Sequence, residues 1–351
     1  MTRVSGGRLR AIAAACGAVL LVVAGCATAR PASPSVPASA SVTPSSGPSP
    51  IPELTAPPTS AAPPTSAAPS PSLAPASSYP LVNSCDPSSV PGAIPVASPA
   101  NGAAGSFTLH VPILMYHRIV PRALAGDSLP GLVVPPATFA AQLGALAAAG
   151  WHTITMATLA NDLQANVSPP ARTFVITIDD GWYDGYTYAL PILQSHGFVA
   201  TYFVIAGRID KADFLSTAQL RALVAAGDEI GDHTMDHVSL PALTAARQTY
   251  EIDAAAARIA QATGYWPESL AYPSGGVDSQ VATAVAACQE LRIAVVEDRA
   301  VTVQPAASQA TLAPRMPAIV EAWANRFVVP RMRVSPGTTP AALLAELNRS
   351  Q

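Results

Sequence analysis

Charge is scarce in this chain of 351 residues: Asp, Glu, Lys and Arg make up 12%, and the net charge is −3 at neutral pH. No basic cluster stands out, which argues against a nucleic-acid partner, since phosphate binding needs a concentrated positive face. Histidine is absent after His237, so no imidazole can come from the last third of the sequence. Beyond the first 25 residues no run is long and apolar enough to span a bilayer; the positive mean hydropathy comes mainly from Ala and Val. Cysteine occurs only four times. Cys16 and Cys26 fall in a leader, which leaves Cys85 and Cys288 either to form a disulfide in an oxidising compartment or to stay as thiols.

That leader is legible. Arg3, Arg8 and Arg10 precede an apolar run from Ala11 to Val23, closed by Ala24-Gly25-Cys26. A positive region, a short apolar region and small residues make a secretory signal peptide, too short for a spanning helix. The tetrapeptide Val23-Ala24-Gly25-Cys26 is similar to a bacterial lipobox, which implies cleavage after residue 25 and acylation of Cys26. The expected product is exported and lipid-anchored on the outer face of the cytoplasmic membrane. Residues 26–107 are rich in Pro, Ser, Ala and Thr. Such a composition buries too little apolar surface to offset chain entropy and predicts an extended, disordered stalk. Residues 108–351 remain for one globular domain with a substantial core.

Within that domain, short apolar strands alternate with helices. Ile113–Tyr116, Thr153–Thr155, Thr173–Ile178, Ala200–Val204, Asp228–Gly231, Ser269–Tyr272 and Ile293–Val296 read as strands. Helical spacing recurs around 139–150, 156–163, 186–195, 220–224, 281–288 and 340–347, with an Ala-rich helix from Pro241 to Gly264. Alternation of this kind predicts an α/β fold, a distorted or incomplete (β/α) barrel of about seven parallel strands.

The strand at 173–178 ends abruptly in Asp179, Asp180 and Gly181. Neighbouring side chains on an extended segment point different ways, so the two carboxylates can do different work. Further on, His233 and His237 stand four apart, a suitable bite for a divalent metal. Two imidazoles and one carboxylate leave positions open for water and substrate, as catalytic sites require. Zinc is the foremost candidate, with nickel, cobalt or iron also suited to the donor set. His117 ends the first strand, and Pro273-Ser274 follow another. All four clusters fall where strands end, the working end of an α/β barrel. His110, His152 and His196 border turns or the stalk and read as structural, and Glu297-Asp298-Arg299 reads as a solvated loop.

These segments resemble the NodB-homology polysaccharide deacetylases, carbohydrate esterase family four, from Val111 onward. Thr177-Ile-Asp-Asp-Gly181 resembles the first motif of that family, which implies Asp179 as general base and Asp180 as metal ligand. His233-Thr-Met-Asp-His237 resembles the second, which implies two more ligands. Ala271-Tyr-Pro-Ser-Gly275 sits where the third is expected, yet it has Ala271 in place of the arginine that orients the base and Ser274 in place of an aromatic. The late histidine of the family is missing too. Pro112-Ile-Leu-Met-Tyr-His117 resembles the opening of a rearranged branch that includes poly-N-acetylglucosamine deacetylases, which implies that His117 serves as the acid.

The resemblance implies a metal-dependent hydrolase that removes acetyl groups from N-acetylated cell-surface or extracellular polysaccharide. The backbone N–H of Ser274, beside Pro273, would face the oxyanion, and Trp182, Tyr183 and Tyr186 offer stacking faces for sugar rings or simply pack at a helix start. Rival readings are an acetyl-xylan-type esterase, a peptidoglycan-directed hydrolase, and a glycan-binding lipoprotein with reduced turnover. A non-haem iron oxygenase would need no second Asp beside the ligand.

Overall fold

The computed structural model describes residues 85–94, 108–297, 319–321 and 326–349. The leader, Cys26, most of the expected stalk, and Asp298 and Arg299 lie outside the described residues. The domain opens with β1 (Thr108–His110), β2 (Ile113–Tyr116), β3 (Arg118–Ile119) and β4 (Val133–Val134). Helices and strands then alternate: α1 (Pro136–Ala148), β5 (His152–Ile154), α2 (Met156–Ala165), β6 (Thr173–Ile178), α3 (Leu190–Ser195), β7 (Thr201–Val204), α4 (Thr217–Ala225) and β8 (Glu229–Asp232). Next come α5 (Ala245–Thr249) and α6 (Ala255–Thr263), joined through a π-turn at Tyr250–Ala254. The described residues finish with β9 (Ser269–Ala271), α7 (Ser279–Ala287), β10 (Ile293–Val295), β11 (Ile319–Glu321), β12 (Met332–Arg333) and α8 (Pro340–Arg349).

The main sheet runs β10-β9-β8-β7-β6-β2-β12, every pairing parallel, with β5 added on β6. One flank of β6 is divided: Thr173–Val175 pair with β5, while Thr177 and Ile178 pair with β7. The sheet curls until its edges meet through one short segment. Val329 bridges to Val295 of β10, and three residues later Met332 pairs with Leu114 of β2. The architecture is therefore the distorted (β/α) barrel expected from the alternation of elements.

Side-chain alternation sorts the core. Ile113, Val175, Phe203, Ala271, Ile293, Val295 and Val329 form one buried apolar cluster that fills the barrel. Phe174, Ile176 and Ile178, on the other face of β6, pack with Leu143 and Leu146 of α1, Leu220 and Leu223 of α4, and Leu343 and Leu347 of α8. Each such side chain contributes roughly 1.5–3 kcal/mol through removal from water. Gly231 in β8 is required by close approach: a Cβ there would lie 2.6 Å from the Phe203 ring and 2.8 Å from Ser269 Oγ.

Helix starts follow from local chemistry. Thr155 caps α2 by accepting from Thr158 N–H, Asp278 caps α7 through Val281 N–H, and Ser216 and Gln219 form a capping box on α4. Pro241 does not start the Ala-rich helix as expected. It sits in a 3₁₀ turn, Leu240–Ala242, and Thr244 caps α5 instead, because its hydroxyl can accept from Arg247 N–H.

The expected stalk is also corrected at its distal end. Cys85 is disulfide-bonded to Cys288, with a Cα–Cα distance of 5.1 Å. Val90 is buried in the cluster around α6 and α7, and Ile94 exchanges backbone hydrogen bonds with Gly264 and Trp266. A covalent tie and an apolar anchor hold residues 85–94 on the barrel despite their Pro/Ser-rich surroundings. Bridging a sequence separation of 203 residues stabilises the folded state by roughly 2–5 kcal/mol.

Candidate active site

The functional side chains converge at the C-terminal ends of the barrel strands. His117 follows β2, Asp179 and Asp180 follow β6, His233 follows β8, and Tyr272–Ser274 follow β9. The expected pairing of His233 with His237 is realised on a loop rather than a helix. Thr234 and His237 both take left-handed backbone, at φ of 64° and 58°, and the Asp232 carboxylate accepts from Thr234 N–H at 2.6 Å to hold the bend. The two imidazoles stand 4.7 Å apart between ring centroids. Asp180 Oδ1 is 3.6 Å from His233 Nε2 and 3.5 Å from His237 Nε2.

These three residues suit a divalent metal. One donor atom from each lies within 4.8 Å of the others. His233 Nδ1 is 2.8 Å from Ala271 O, and since a carbonyl only accepts, Nδ1 carries the proton and Nε2 offers its lone pair. Trp182 Nε1 donates to Asp180 Oδ2 at 3.1 Å, which leaves Oδ1 facing the imidazoles. Burial works against the Asp180 charge, but the neighbouring histidines hold its carboxyl far below the ordinary range. Burial lowers the His233 pKa as well, yet Asp180 and Asp179 outweigh it and raise the imidazole above its usual value. The pocket thus favours positive charge, and a divalent cation is the species that uses all three donors.

Asp179 lies on the other side of the bend. It shares the inward face of β6 with Val175 and Thr177, while Asp180 turns away through left-handed backbone at φ 74°. Arg331, wholly buried, donates from Nη1 to Asp179 Oδ1 and from Nη2 to Oδ2, both at 2.7 Å. The same guanidinium bonds Thr177 Oγ1 at 2.9 Å and Val296 O at 3.2 Å. Burial would raise the Asp179 pKa, but the Arg331 charge and its twin hydrogen bonds hold the carboxyl below the usual range.

Arg331 went unread in the sequence. Its signal was an arginine directly after the apolar run Phe327–Pro330, inside the segment that closes the barrel. Glu297, expected in a solvated loop, instead pairs with Arg333 at 2.6 Å, because β12 brings that arginine alongside the end of β10.

His117 is 8% exposed. Burial lowers its pKa, with Asp179 and Asp180 acting in the opposite direction. Ser274, exposed and left-handed at φ 54°, starts the bend after β9. Its N–H stays out of the hydrogen bonds of that turn, which run from Gly275 to Tyr272 O and from Gly276 to Pro273 O. Pro273 is buried.

Trp182 corrects one expectation. Phe214 stacks on its ring at 4.5 Å and the Arg118 guanidinium lies 4.1 Å from its centroid, so both faces are covered. It orients Asp180 and has no face left for a sugar. Tyr183 and Tyr186, partly buried, keep the stacking role in view. His152 bonds Thr173 Oγ1 at 2.6 Å and His196 packs on Phe198, structural roles as expected.

Residues 166–291 match the family model for polysaccharide deacetylase. Over 142 residues the chain is 34% identical to YxkH of Bacillus subtilis (strain 168), a candidate polysaccharide deacetylase, covering 40% of this chain and 48% of that protein. It spans about half or less of the curated relatives it matches. Among solved structures, Streptococcus pyogenes deacetylase PplD in complex with acetate superposes with a TM-score of 0.59 at 24% identity, over 68% of this chain and 97% of that one. IcaB from Ammonifex degensii gives 0.52 at 23% identity, over 68% and 96%. Residues 166–291 are thus similar to the polysaccharide deacetylases that the motifs resemble, and the chain shares the fold of the solved deacetylase structures.

Replacing Arg331 by Leu leaves Asp179 buried without a partner and costs about 3–5 kcal/mol at pH 7 in urea denaturation. The folded pKa of Asp179 is depressed, so its contribution is complete above the ordinary carboxylate range and fades as pH falls through the folded value. The stability gap between wild type and Arg331→Leu should therefore narrow as pH falls below about 4. A gap independent of pH would show that the guanidinium acts through packing alone.

Proposed function

We propose that this chain is a metal-dependent deacetylase acting on N-acetylated cell-surface or extracellular polysaccharide. The observation that carries the reading is the convergence of Asp180, His233 and His237 beside an arginine-clamped Asp179 at the working end of the barrel. Asp180, His233 and His237 would hold the ion. A divalent ion bound there supplies a Lewis acid and a water of lowered pKa.

The residues of the chain do the rest. Asp179, kept ionised by Arg331, accepts the proton of the attacking water. The Ser274 N–H donates to the carbonyl oxygen as negative charge develops on it. His117 gives a proton to the departing nitrogen, so amide and water become amine and acetate. The early position of His117, in a segment that resembles the opening of the branch with poly-N-acetylglucosamine deacetylases, supports assignment to that branch. A chain that only bound glycan would need neither the clamped carboxylate nor the buried imidazole.

Purified protein should release acetate from N-acetylated glycans and stop when a chelator is added. Asp179→Asn should keep its metal in elemental analysis and lose turnover, whereas His233→Ala and His237→Ala should lose both. Glycan binding without any acetate release would reduce the chain to a binding protein, and release unaffected by chelation would remove the metal from the reading.

For His117→Ala, kcat on an amide substrate should fall by about 10²–10⁴ with metal retained. An activated ester, whose leaving group needs no proton, should lose far less. Equal losses on both substrates would assign protonation to another group.

Export and lipid anchoring through Cys26 remain part of the proposal. They rest on the lipobox and lie outside the described residues. Mass spectrometry of the mature N-terminus should find diacylglycerol on Cys26, and a soluble product starting elsewhere would overturn the anchor.

A further inference from the structure

The two imidazoles of the metal-type cluster are joined by Thr234, Met235 and Asp236, which belong to neither helix nor strand. Backbone groups in such a loop find their partners in other elements, and those partners set its path. On one side the turn after β7 supplies two. Ala206 N–H donates to Thr234 O at 3.0 Å and Gly207 N–H to Met235 O at 2.9 Å. The approach is close enough to need glycine, since a Cβ at 207 would lie 2.6 Å from Met235 O.

On the other side stands Glu251, wholly buried in the π-turn between α5 and α6. Its carbonyl accepts from Met235 N–H at 3.0 Å, and its Oε2 accepts from Asp236 N–H at 2.9 Å. Arg247, also buried, braces the arrangement: its Nη2 is 2.7 Å from Glu251 Oε1 and donates to Asp236 Oδ2 at 2.6 Å. A π-turn interrupts the regular helical ladder. Here it presents the main chain and the side chain of one residue to the same loop.

A buried ion pair is a poor way to gain stability, because apolar residues of similar volume often do as well or better. What these groups have, and an apolar pair lacks, is direction. Thr234 and His237 must both hold left-handed backbone for the imidazoles to face one oxygen of Asp180, at 3.6 and 3.5 Å. If either relaxed to ordinary backbone, the two rings would diverge.

We propose that Glu251 is the positioning residue of the metal-type cluster. From the π-turn it fixes the backbone between His233 and His237, and with it the bite offered to a divalent ion. The inference rests on the metal reading of Asp180, His233 and His237, and adds a residue that acts on them through the loop. Groups that orient metal ligands change metal affinity about 10–100-fold when they are removed.

Two measurements test this. Zinc alone, titrated into metal-free protein against a chromophoric chelator, should bind Glu251→Ala about 10–100-fold more weakly than the parent. Glu251→Gln, which keeps an oxygen for Asp236 N–H and loses the ion pair, should fall between. Leu343→Ala, in the core where α8 packs, lowers stability away from the loop and should bind zinc as the parent does. The second measurement needs no metal. In Glu251→Ala, amide hydrogen exchange at His237 and Gly207 should quicken about tenfold relative to Val175 in β6. Those two amides donate to Thr234 Oγ1 and Met235 O, not to Glu251, so they report the loop and not the deleted bond. Unchanged exchange at both amides, or zinc affinity equal to that of the parent, would overturn the proposal. Zinc weakened equally by Leu343→Ala would do the same. If Glu251→Ala does not fold, Glu251→Gln decides by the same comparisons. A parent that binds no zinc would remove the metal reading, and the exchange rates would still decide whether Glu251 sets the loop.

Discussion

The buried pair between Arg331 and Asp179 is the interaction on which the rest of the site depends. An unpaired carboxylate inside a barrel would take up a proton to escape its desolvation, and a protonated carboxyl cannot accept one from water. The guanidinium prevents this by occupying both oxygens in a bidentate geometry. It is itself held by Thr177 and the Val296 carbonyl, so the charge is positioned as well as supplied. Ala271, where the resemblance leads one to expect an arginine, is small and faces into the filled barrel. Two arginines directed at one carboxylate would repel each other, and a long side chain at 271 would need the interior room that the present packing uses.

The backbone around this pair carries strain of a consistent kind. Asp180, Thr234, His237 and Ser274 all sit in the left-handed region without being glycine. Each belongs to a bend just beyond a strand end, and each bend redirects a group that an ordinary extended path would point elsewhere. Between Asp179 and Asp180 the reversal separates a clamped carboxylate from one that faces imidazoles. The Asp232 side chain and the Ala271 carbonyl pin the second bend and its histidine. A rigid barrel can bear a cost of order 1–3 kcal/mol at each position because its core fixes the strand ends independently.

Much of this was legible in the sequence, and the limits of legibility have a physical origin. Short continuous apolar runs mark the strands, and Thr173–Ile178 reads as wholly buried because both of its faces are covered, by the barrel interior and by helices. The metal-type triad is legible because its members are local to two short motifs. Arg331 is not, because a residue 152 positions away from Asp179 leaves no spacing to read; only the closure of the sheet brings them together. The role of Trp182 was missed for a related reason. An aromatic after Asp-Asp-Gly suggests an open face, but Phe214 and Arg118 cover it from distant segments. The ordered stretch 85–94 was hidden by composition, since one cysteine and one valine outweigh its prolines only when their partners are in place.

The segment from Val329 to Arg333 closes the sheet and also delivers the clamp. Those two duties fall on the same few residues, late in the chain. A polypeptide made from its N-terminus therefore has His117, the paired aspartates and both histidines in hand well before the residue that keeps Asp179 ionised. Until the last strand is laid between β10 and β2, the barrel is an open sheet and Asp179 has no counter-charge. Completion of the fold and readiness for chemistry become a single event, so a half-made chain holds the parts of the site without its function.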